Sequence, residues 1–155
     1  MTKLAIISLL FLCPLLSSNF NQFLEDFVED RECSKISLSG NLFSFKNSDN
    51  VKSEIDNFQL YIFDEEDYLS KNDVSKIKNA VRKNNLELLN SIKSKGNLIE
   101  IYVNEKNGII SELFMIVKGD DSSVLFNATG KIRFEDFKNI DLDFDGSEEL
   151  KNYKN

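Results

Sequence analysis

Between Leu98 and Ile132 the chain carries three apolar runs separated by two turn signals. Nothing else in the sequence constrains the fold as strongly. The runs are too short and too rich in β-branched residues to be separate helices. Asn107-Gly108 supplies the positive φ angles that a tight hairpin demands, and Gly119-Asp120-Asp121 marks a second turn. The stretch predicts an antiparallel meander, with the upstream chain built to cover one face of its sheet.

Upstream, Asn19 is placed to cap a helix. Phe20, Phe23, Leu24, Phe27 and Val28 then recur at i, i+3, i+4, i+7 and i+8, which predicts an amphipathic helix near Phe20–Asp30. Glu25, Asp26, Glu29 and Asp30 fall on its outer face, either as solvating charge or as a surface for a basic partner. Lys35–Ser39 alternates and reads as a half-exposed first strand. Asn47–Asn50 is a turn cluster, and beyond it Val51, Ile55 and Phe58 have the spacing of a short helix. Gln59–Phe63 reads as a second strand, stopped by the acidic run Asp64–Asp67. From Asn72 to Lys83 the period is helical, with Val74, Ile77, Ala80 and Val81 on one face and Asn84-Asn85 at the end. Leu86–Ile92 fits a continued helix or a strand; as a strand it makes Lys95-Gly96-Asn97 a hairpin turn into Leu98. A short terminal helix is expected from near Phe134.

The fold class that follows is α+β: a mostly antiparallel sheet with a C-terminal strand meander and amphipathic helices packed on one face. With no repeat and no Gly/Ser-rich linker, residues 19–140 form a single domain and residues 141–155 an acidic tail.

Composition narrows the function. Hydrophobic residues make up 41% and charged residues 29% of 155, enough apolar material for one ordinary core. The formal charge of −7 repels phosphate backbones and anionic lipid surfaces, so no nucleic-acid partner is expected. Histidine is absent, which removes the commonest general base, the Ser-His and Cys-His nucleophile systems and the usual zinc ligand sets.

Met1–Ser18 has the parts of a secretory signal: Lys3 for the positive start, Leu4–Leu16 for the apolar segment, and Ser17-Ser18 for cleavage. The apolar run is shorter than the ~20 residues a bilayer span needs, and Pro14 interrupts it. Cys13 lacks the small preceding residue of a lipobox, since Leu12 stands there, although Leu10 fits; no lipid anchor is expected. Cleavage near Ser18 leaves Cys33 as the one thiol, a packing residue at a helix–strand junction or a site of intermolecular pairing.

Two segments offer chemistry. Asp141, Asp143 and Asp145, followed by Gly146, match the first half of a calcium loop. The second half departs, because Asn152 occupies the twelfth position where a bidentate Glu belongs. A solvated acidic tail is the competing reading. Glu112 lies inside the apolar run Ile109–Val117, where burial would raise its pKa and suit it to general acid work. Strand alternation instead turns it to water or to a cross-strand Lys. The six Gly form no phosphate-cradling loop, and no Ser sits in a nucleophile elbow.

The segment from Gly108 to Asp121 (GIISELFMIVKGDD), then Val124-Leu125-Phe126 and Thr129-Gly130-Lys131-Ile132, resembles the DUF4252-like family of small exported proteins of unknown function from Bacteroidetes, many described as lipoproteins. The hairpin around Leu86–Val103 is also similar. The resemblance implies export, an α+β fold and residence in the cell envelope. It supplies no catalytic residues, and the Asp141–Gly146 segment lies outside it. Together these features lead to an exported, non-catalytic binding or interaction module, whose partner is an envelope protein or a small ligand. The alternatives are a carboxylate-only enzyme with Glu112 as first suspect, and a calcium-stabilised module.

Overall fold

The computed structural model describes residues 19–46, 52–64, 67–94, 96–119 and 121–133. Met1–Ser18, the helix expected near Phe134 and the calcium candidates Asp141, Asp143 and Asp145 lie outside the described residues.

Among the described residues, two helices and six strands follow in the order α1 (Phe20–Val28), β1 (Ser34–Lys46), β2 (Lys52–Phe63), α2 (Lys71–Lys83), β3 (Glu87–Ser94), β4 (Asn97–Lys106), β5 (Ile109–Lys118) and β6 (Ser123–Arg133). The strands form one sheet in the order β1-β2-β6-β5-β4-β3, antiparallel at every pairing. The expected α+β architecture is therefore present, with the meander extended upstream to include β3. The chain leaves β2, crosses the sheet through α2 and re-enters at the far edge as β3. It then returns strand by strand until β6 closes against β2.

Local chemistry sets the boundaries. Asn19 caps α1 as expected, its Oδ1 accepting from the Gln22 amide at 2.9 Å. Ser70 caps α2 in a reciprocal box: Asp73 N–H donates to Ser70 Oγ at 3.1 Å, and Ser70 N–H donates to Asp73 Oδ2 at 3.0 Å. Asn85, at φ 58°, turns the chain out of α2. Asn107 and Gly108, at φ 56° and 80°, make the two-residue turn that pairs Lys106 with Ile109.

The short helix expected at Val51, Ile55 and Phe58 is not formed. Val51 is outside the described residues, and Ile55 and Phe58 belong to β2. The pairing of β2 with β6 skips a residue between Ile55 and Asn57. That bulge puts Ile55 and Phe58 on the same face of the sheet although they are three apart. A bulged strand thus imitated the i, i+3 spacing of a helix. The first strand is also longer than expected. Ile36 and Leu38 on it are 47% and 43% exposed, so its apolar side is more open than a half-buried strand implies.

Each sheet face carries an apolar cluster. On one, Phe20, Leu24 and Val28 of α1 and Ile77, Ala80 and Val81 of α2 pack against Tyr61, Phe63, Phe114, Ile116 and Leu125. Phe20 meets Phe114 edge-on with ring centroids 4.7 Å apart. Both helices therefore lie on one face, as expected. The opposite face holds Ile99, Ile101, Leu113, Met115 and Phe126, all buried, with Phe58 edge-on to Phe126 at 5.1 Å. Strands apolar on both faces lose the alternation of a one-sided sheet, which is why β4 and β5 read as nearly continuous hydrophobic runs. Among the described residues no helix is long and apolar enough to cross a membrane.

Candidate functional site

The start of α2 overhangs the turn end of the β3–β4 hairpin. Leu98, the second residue of β4, is the cross-strand partner of Lys93 on β3 and of Lys118 on β5. Directly paired residues share a sheet face, so the row Lys93–Leu98–Lys118 points one way. Two residues further along β4 on that face, Glu100 takes Lys78 of α2 in an ion pair at 2.6 Å and the Tyr102 hydroxyl at 2.8 Å. This anchor sets the helix over β4. Four residues back from Lys78, about 6 Å of helix, is Val74; two residues back from Glu100, about 7 Å of strand, is Leu98. The two apolar side chains are thereby brought to the same level.

They form the floor of a hollow of about 460 Å³ lined by Lys71, Val74, Lys93, Gly96, Asn97, Leu98 and Lys118. Its surface is predominantly apolar, and its charge is entirely positive. Among the described residues the ammoniums of Lys71, Lys93 and Lys118 have no carboxylate partner; the ion pairs are Arg31–Asp73 and Lys78–Glu100. Lys118 rests its Nζ 4.4 Å from the centre of the Tyr68 ring, and the Tyr68 hydroxyl donates to the Gly119 carbonyl. Lys71 is the first residue of α2, where the helix end adds partial positive charge. The first-turn acid, Asp73, does not cancel it in the hollow, because Ser70 and Arg31 hold its carboxylate elsewhere.

The electrostatics of the anchors are consistent with this division. Burial tends to push the Asp73 carboxyl up, but the Ser70 hydrogen bonds and the Arg31 guanidinium outweigh it and hold the group below its usual range. Tyr102 is pushed well above the ordinary phenol value by burial, by its hydrogen bond to Glu100 and by that carboxylate's charge. The start of α2 is thus held by a carboxyl that stays ionised near neutrality.

Glu112 is the residue the sequence raised for acid chemistry, and it is half-buried. It does not find a cross-strand Lys. Its partners across the sheet are Asn104 and Thr129, and its Oε1 accepts from Asn127 Nδ2 at 3.2 Å. A register shift between Ile110 and Glu112 turns Glu112 onto the helix-covered face, where Asn127 also donates to Asn21 of α1. Burial raises its pKa against the smaller lowering effect of Asn127. No second carboxylate is hydrogen-bonded to it among the described residues. It forms a polar seam between α1 and the sheet.

Cys33 is half-buried against the helix-side cluster, the packing role expected of it, and its thiol is pushed up by burial and then by Asp67. A second hollow beside it, about 540 Å³, is lined by Glu25, Asp26 and Glu29 together with Arg31 and Lys35, so its charges largely offset one another. Among the described residues no group of three acids or cysteines is placed to hold a metal. The sequence did not single out the lysine hollow. Its one legible signal was the Lys95-Gly96-Asn97 turn, whose register places Lys93 opposite Leu98.

A family model described as a domain of unknown function (DUF4252) matches residues 26–140, which take in all six strands and α2. The chain belongs to the DUF4252 family. No curated protein and no solved structure matches it. The match spans the whole sheet and includes every residue lining the lysine hollow.

Proposed function

We propose that this chain is an exported, non-catalytic binding module of the cell envelope, and that it holds a small anion in the hollow at the start of α2. One observation carries the reading. In a chain of net charge −7, three lysines from three different elements surround one hollow with no carboxylate partner among the described residues. Like charges gathered in a recess repel each other, and an anion that neutralises them gains more there than on an open surface. Export rests on the signal-like Met1–Ser18. The absence of histidine from the whole sequence and the isolation of Glu112 support a binding role rather than a catalytic one.

The reading is tested by thermal melting of the chain from residue 19 onward against acetate, inorganic phosphate, citrate and decanoate. At least one of these raises Tm saturably, and the rise is lost in the Lys93→Gln/Lys118→Gln double variant. A chain insensitive to all four, or a double variant that responds like the parent, would refute it.

A further inference from the structure

Resting on that reading, we infer that the anion is amphipathic: a monocarboxylate with an aliphatic tail of medium length, its head among Lys71, Lys93 and Lys118 and its tail along Leu98 and Val74. The charge of the hollow argues for an anion; its floor argues for the tail. Lys93 and Lys118 stand two strand spacings apart across Leu98, about 10 Å between backbones, with the apolar side chain between them rather than a polar one. Val74 completes that floor from the helix side, and the three lysines line the hollow beside it. A hollow shaped only for phosphate or citrate would line itself with further donors. This one is predominantly apolar below a cationic rim, the pattern of a site that removes hydrocarbon from water while the charged head stays near solvent.

Lysine suits the head as well. A flexible ammonium neutralises a carboxylate as a point charge and imposes no fixed two-pronged geometry, so three stems of different origin can converge on one head group. The hollow beside Cys33 has a mostly polar lining that includes carboxylates and would reject the same ligand.

Isothermal titration of the chain from residue 19 onward, with decanoate below its micelle-forming concentration, tests the inference. The probes beside it are acetate and inorganic phosphate. Decanoate is expected to bind saturably at one site and at least about tenfold more tightly than acetate, since the tail adds buried apolar area. The Leu98→Ser variant should lose most of the advantage of decanoate over acetate, whereas Lys93→Gln/Lys118→Gln should weaken every anion. Circular dichroism spectra that match the parent establish that the variants are folded. Phosphate or acetate binding as tightly as decanoate would overturn the amphipathic ligand and leave the small-anion reading standing. If none of these probes binds and citrate gives no binding either, both fall.

Discussion

Lys93 and Lys118 share one cross-strand neighbour, Leu98, and so stand on either side of it on the face that α2 covers. The relationship follows from two features of the backbone. The hairpin turn after Ser94 fixes the register of β3 on β4, and the Asn107-Gly108 turn fixes that of β5 on β4. A slip of one residue in either pairing would send one lysine to the opposite face and dismantle the hollow. Two ordinary hairpins therefore build the recess, and the Lys78–Glu100 pair sets the helix over it.

That anchor can be probed directly. Glu100 is 5% exposed and holds Lys78 and the Tyr102 hydroxyl. In Lys78→Met the carboxylate remains buried and loses its cationic partner, so denaturant unfolding should show a loss of about 3 kcal/mol. Replacing Glu100 as well, with Gln, should recover part of that loss. No recovery would mean that packing of the Lys78 stem, and not the charge pair, holds α2 in place.

Asp73 gives a pH signature of the opposite kind from Glu112. Its folded carboxyl lies below its usual value, so its contribution is complete above the unfolded pKa of about 3.9 and disappears as pH falls through the folded value. Asp73→Asn should cost about 1–2 kcal/mol at pH 7, by loss of the charged cap and the Arg31 pair. The gap between parent and variant should close in strong acid. A gap that is constant with pH would contradict the ionic role.

Glu112 is held above its usual value by burial, and the sign reverses. The folded chain takes up the proton more readily than the unfolded chain. Its carboxylate therefore lowers stability at neutral pH relative to an unperturbed Glu, and this cost vanishes below the unfolded pKa of about 4.3. Glu112→Gln, which keeps an acceptor for Asn127, should melt higher than the parent at pH 7 and lose that advantage as pH falls below about 4. A variant that melts lower at pH 7 would show that the charge strengthens the Asn127–Asn21 seam by more than burial costs.

Gly130 permits a close approach between β6 and β2. A Cβ at this position would clash with the Glu54 backbone carbonyl oxygen, a contact that only backbone movement could relieve. Gly130→Ala should destabilise by more than about 1 kcal/mol in equilibrium unfolding, in spite of the entropy it removes from the unfolded chain. An unchanged midpoint would mean that the β2–β6 ladder shifts freely at its bulge.

Most of the fold was legible in the sequence because local signals and the global pattern agreed. The Asn107-Gly108 turn, the Phe20–Val28 stripe and the Asn84-Asn85 helix end each have one cheap conformation, and each was found in it. Where legibility failed, a bulge was responsible. Near Asp56 it disguised β2 as a helix, and beside Ser111 it put Ile110 on the face of Leu113 and left Glu112 on the helix-covered face with Phe114 and Ile116. Bulges reset a two-residue period at positions that carry no strong residue preference. The hollow was hidden for a different reason: Lys71, Lys93 and Lys118 are scattered along the chain and individually resemble solubilising surface lysines. Only the strand register and the Lys78–Glu100 anchor make them neighbours.

The most direct test of the binding account is to follow the lysine side chains themselves by NMR while decanoate is added to the chain from residue 19 onward. The account predicts that the ε-CH2 signals of Lys71, Lys93 and Lys118 move together and saturate at one equivalent, while those of Lys35 and Lys131, which lie outside the hollow, do not follow them. Uniform drift of all lysine signals without saturation would contradict it, because that is the response of a surface that screens anions without binding one.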